Sequence, residues 1–124
     1  MTAAQAHAAF ERILAEALRA PDPVAALHAA AADPGLPAAL RKALMSANED
    51  GVRLSALLVA RLRFERLIHG SPEAARWFEE DPAAFTAAFR RYHQAVPASS
   101  FFPRSEAERF EAWWCAASDT DRPA

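Results

Sequence analysis

VRLSALLVARLRFERLIHG, residues 52–70, carries the longest helical pattern in the chain, and its surroundings decide the fold. Asp50 precedes it as an N-cap acceptor, and Gly70 follows as the residue expected to leave the helix in a left-handed conformation. Its apolar positions reach most of the helical circumference, which predicts a central helix wrapped by the others. On a helical wheel Arg61 falls among Leu54, Leu57, Leu58 and Ile68. A charge there needs a partner, and Glu65 stands four residues on, so a half-buried Arg61–Glu65 pair is expected. Arg63 and Arg66 fall on the other side of the wheel and read as surface.

Outward from this helix, the chain is punctuated by one repeated device. Asp22-Pro23, Ser71-Pro72 and Asp81-Pro82 each join an oxygen acceptor to a proline at the first helical position, where a missing N–H costs nothing. Upstream, Phe10, Ile13, Leu14, Ala17 and Leu18 line one face of a first helix capped by Thr2 and ended by Pro21. Two short helices follow, over about 23–32 and 37–47, separated by Asp33-Pro34-Gly35, with a turn at Asn48-Glu49-Asp50-Gly51.

Downstream come a short helix bearing Trp77 and Phe78, then a longer one over about 82–96 whose Phe85, Phe89, Tyr92 and Val96 form one stripe. Ser105 with Glu108 makes a capping-box pattern that opens a closing helix, whose Phe110, Trp113 and Trp114 face inward or toward a partner. No stretch alternates with period two. The expected fold is all-α, a single compact bundle of six or seven helices over residues 1–117, with 118–124 as a frayed tail.

A chain of 124 residues with 52% hydrophobic and 24% charged residues fits one globular domain. Its formal net charge of -2 argues against a generic binder of nucleic acid or anionic membrane. No signal-peptide pattern and no membrane-length apolar run occurs, and Cys115 is the single cysteine, so a reducing, cytoplasmic setting is expected.

Reactive constellations are missing from the pattern. His7, His28, His69 and His93 lie on separate helices without metal-ligand spacing, and Gly35, Gly51 and Gly70 make no phosphate loop. Cys115 reads as a small apolar residue behind Trp114. Glu79, Glu80 and Asp81 stand where negative charge favours helix starts. Neither a catalytic residue, nor a metal ligand, nor a cofactor is assigned. What remains is RRYHQAVPASSFFPRSEAERFEAWW, residues 90–114, where Phe101 and Phe102 sit in a connection in which water ordinarily selects polar residues. They are expected either to plug the end of the bundle or to meet a partner chain.

The run FERLIHGSPEAARWFEEDPAAFTAAFRRYHQAVPASSFFPRSEAERFEAWW, residues 64–114, resembles the helical domain of the partner proteins of multinuclear non-haem iron oxidases. These are accessory proteins in the biosynthesis of ribosomally made, post-translationally modified peptides. The shared elements are the helix ending at Gly70, the short helix after it, the phenylalanine-bearing helix reaching Tyr92, the Val96-Pro97 exit, and the phenylalanine-proline segment before an aromatic closing helix. The resemblance implies a non-catalytic subunit that docks on the oxidase and helps present a precursor peptide, the iron being held by the enzyme. Phe101, Phe102, Arg61, His93 and Trp114 are the residues expected to touch partner or peptide. The alternative from another class is a helical DNA-binding regulator. It needs a basic recognition helix, and the arginines of residues 41–66 are interrupted by apolar positions and by Glu49, Asp50 and Glu65.

Overall fold

The computed structural model describes residues 1–98 and 102–121, with side chains through residue 117. Among the described residues the chain is all-α, with seven helices and no strand: α1 (Ala3–Leu18), α2 (Pro23–Ala31), α3 (Ala38–Ser46), α4 (Glu49–Gly70), α5 (Pro72–Glu80), α6 (Pro82–Ala95) and α7 (Pro103–Asp121). None of these helices is long and apolar enough to cross a membrane.

Local chemistry sets most helix starts. Thr2 Oγ1 accepts the Gln5 N–H at 3.2 Å while Gln5 Oε1 accepts the Thr2 N–H at 2.8 Å, a reciprocal capping box. Asp22, Ser71 and Asp81 each accept the N–H three residues on at 3.1 Å, with proline beginning the helix as expected. Two starts come earlier than the sequence indicated. α4 begins at Glu49 because Asn48 Oδ1 takes the Gly51 N–H at 2.7 Å, so the anticipated turn is already helix and Asp50 lies within its first turn. α7 begins at Pro103, leaving Ser105 inside the helix, and it continues to Asp121, into the residues expected to fray.

Buried side chains gather into two clusters, and the chain divides by its contacts into two compact units, Met1–Val59 and Ala60–Ala124. In the first, Ala9, Ala17, Val24, Leu27, Ala31, Leu40, Leu44 and Val52 form the core. Arg41 Nε donates to the Ala31 carbonyl at 2.9 Å, satisfying an acceptor left over at the end of α2. In the second, Leu67, Ala74, Phe85, Phe89, Tyr92 and Phe110 are buried. Phe64 presents edges and faces to Phe78, Phe85 and Phe89 at centroid separations of 5.3, 5.6 and 5.2 Å. The expected stripe of Phe85, Phe89 and Tyr92 is therefore core.

The reading of α4 as a wrapped helix needs correction. Val52 is its inward residue in the first unit, and Arg63, Phe64 and Leu67 turn inward in the second, whereas Leu54, Leu57, Leu58 and Leu62 are exposed. Gly70 also differs from expectation. No residue of the described chain has a positive φ, and the Ser71 N–H still donates helically to Leu67 O at 3.0 Å. The glycine is required by close approach instead, because a Cβ there would overlap the Pro103 carbonyl at the start of α7.

Candidate functional site

The second unit is organised around a charge. Arg63 has a fully buried side chain, and its Nε donates at 2.9 Å to Oε1 of Glu106, equally buried on α7. Its two terminal nitrogens reach the exit from α6: Nη1 donates to Val96 O at 2.6 Å and Nη2 to Pro97 O at 3.2 Å. Nη1 also lies 3.3 Å from Nδ1 of His93. An arginine can only donate, so Nδ1 accepts and the ring proton belongs on Nε2. The guanidinium carbon stands 4.3 Å above the centre of the Tyr92 ring, a cation–π contact. Tyr92 in turn donates a short hydrogen bond to Oε2 of Glu106. Burial, reinforced by this bond to a carboxylate and opposed by Arg63, pushes the Tyr92 phenol up to about 12.

Three elements are thus joined at one point: α4 by Arg63, α6 by Tyr92 and His93, and α7 by Glu106. Removing one member of such a pair strands the other charge in a dry site, at a cost of about 3–5 kcal/mol. The arrangement does mechanical work on the connection between α6 and α7. Its first residues are held by Arg63 through Val96 and Pro97, and Arg109 Nη1 adds a long bond of 3.4 Å to the same Pro97 carbonyl. At its far end Glu106 fixes the first turn of α7. Phe102, just before α7, is 71% exposed, so it does not plug the core. Phe101 lies outside the described residues.

The other candidates fall in different places. Arg61 and Glu65 do pair, at 3.2 Å, but with side chains 73% and 49% exposed. The sequence reading assigned burial to Arg61 and surface to Arg63, and the structure reverses the two. An exposed pair of this kind contributes little stability. His93 is only 7% exposed and stacks on Phe89 within the Arg63 cluster, so its ring offers no face to a partner.

Trp114 is half-buried and lines a groove of about 300 Å³ between α5 and α7, its ring 4.9 Å from that of Trp77. Cys115 lines the same groove and is exposed, rather than sheltered behind Trp114. Glu73, Glu111 and the Arg63–Glu106 pair were not singled out by sequence, and Trp77 was read only as marking a short helix. Among the described residues no three side chains of His, Cys, Asp or Glu come together to hold a metal ion.

The fold and these features define a class: an all-α protein of two small units, the second of which seals a polar cluster inside while exposing Phe102 before α7 and an aromatic groove between α5 and α7. Compared with known protein families, with curated proteins and with solved structures, the chain matches none.

Proposed function

We propose that the chain is a non-catalytic partner subunit, docking through its second unit on a multinuclear non-haem iron oxidase and helping to bind or present a ribosomally made precursor peptide. The observation that carries this reading is Phe102: a large aromatic residue, 71% exposed, standing just before α7, where its carbonyl accepts the Glu106 N–H at 3.1 Å and Glu106 is itself buried against Arg63. A pinned aromatic loses little freedom when a partner covers it, which is what an interface anchor requires. The sealed state of the Arg63, Glu106, Tyr92 and His93 cluster supports a structural rather than a reactive task for the groups that most resemble an active site. Phe101, Arg61 and Trp114 remain candidate contacts in the same reading. Cytoplasmic residence belongs to it as well, supported by the single cysteine.

The test uses Phe102→Ser in the full chain beside an iron oxidase of that class. Because the ring is exposed, thermal stability should stay within about 0.5 kcal/mol of the parent. Affinity for the oxidase should fall at least about tenfold, the scale of one interface anchor. A folded Phe102→Ser protein that binds the oxidase as tightly as the parent, or a parent that does not bind it, ends the proposal.

A further inference from the structure

The groove between α5 and α7 has a chemistry of its own. Trp77 and Trp114 form an aromatic wall, their rings tilted by 57°, and Phe110 continues it. Ala74 and Ala107 are the small residues that leave the space open. The only charged side chains in the lining are Glu73 and Glu111, both exposed carboxylates. This is notable in a unit rich in arginine: Arg61, Arg66, Arg76, Arg90, Arg104 and Arg109 all belong to it, yet none lines the groove.

Indole faces attract cations, and they do so best when the cation is partly stripped of water. Carboxylates at the mouth of an apolar cleft concentrate cations and repel anions. A pocket of this size, mostly apolar with a few polar groups, suits a small ligand or one side chain.

We infer that this groove is a binding site for an organic monocation with an apolar stem, an alkyl- or arylalkyl-ammonium, its stem against Trp77, Trp114 and Phe110 and its charged head toward Glu73 and Glu111. The assignment rests on the groove alone and stands whether or not the chain docks on an oxidase. The same chemistry is offered by a free amine and by a lysine side chain in a peptide.

Cys115 makes the test direct, because it is the only cysteine of the chain and it lines the groove. The rate at which iodoacetamide alkylates Cys115 is measured in the full-length protein with three ligands sharing one phenyl stem: phenethylammonium, 2-phenylethanol and 3-phenylpropionate. Phenethylammonium should protect the thiol saturably, with an affinity at least about tenfold above that of the alcohol, and the carboxylate should not protect. Glu73→Gln with Glu111→Gln, at exposed positions, should bring the amine's affinity down to the alcohol's. Ala107→Phe, which fills the groove, should abolish protection by both.

Equal protection by amine and alcohol would overturn the inference in favour of a merely apolar cleft. So would stronger protection by the carboxylate, or none by the amine. Acetyl-Lys-Phe-amide separates the two sources: tighter protection than phenethylammonium assigns the site to lysine side chains, and weaker protection assigns it to free amines, both within the inferred chemistry.

Discussion

Tyr92 shows how one side chain records the character of its surroundings. Its phenol is raised from an ordinary 10.0 to about 12, first by burial and then by its bond to the Glu106 carboxylate. The folded state therefore holds this proton more tightly than the unfolded chain does. The sign follows: the contribution is fully present below pH 10, and it is lost as pH rises through about 12. Tyr92 is the only tyrosine in the chain, so phenolate absorbance reports it alone. Near pH 11 the native protein should show little phenolate, and adding urea at the same pH should reveal it at once. Tyr92→Phe should remove this part of the alkaline loss of stability. Phenolate appearing near pH 10 in the native protein would show that the phenol is neither dry nor bonded to Glu106.

At the scale of helices, legibility followed distance along the chain. The caps at Asp22, Ser71 and Asp81 could be read because acceptor, proline and recipient N–H all fall within one turn. Arg63 could not, since its partner Glu106 lies 43 residues away and the apolar residues of α4 occur on every side. Nothing local says which arginine turns inward. The groove was invisible for the same reason: the aromatic residues of α5 and α7 stand out in the sequence, but the space between them depends on how the helices pack.

Gly70 belongs to this second kind. A glycine after a helical run ordinarily suggests a left-handed stop, yet here it lets the end of α4 touch the start of α7. Gly70→Ala therefore tests the packing of the two elements. A residue that only continued a helix would gain about 1 kcal/mol from the change. Overlap with the Pro103 backbone should instead make it destabilising by about 1–3 kcal/mol in denaturant unfolding. A stabilised Gly70→Ala protein would show that α4 and α7 stand further apart than described.

Across the whole chain, the separation into Met1–Val59 and Ala60–Ala124 leaves the probes unevenly placed. Trp77, Trp113 and Trp114 are the only tryptophans, and all belong to the second unit, as does Tyr92. Aromatic fluorescence therefore follows that unit, while far-ultraviolet circular dichroism follows helices of both. Leu44 is 1% exposed in the core of the first unit, where truncation removes buried methyl groups and leaves a cavity. Leu44→Ala should cost that unit about 2–5 kcal/mol. If each unit stands on its own cluster of buried residues, part of the dichroism should be lost at lower urea than in the parent, while the fluorescence midpoint stays in place. Loss of coincidence between probes is the established sign that a transition has ceased to be two-state. Both signals moving together by the same amount would instead mean that the two cores melt as one cooperative body.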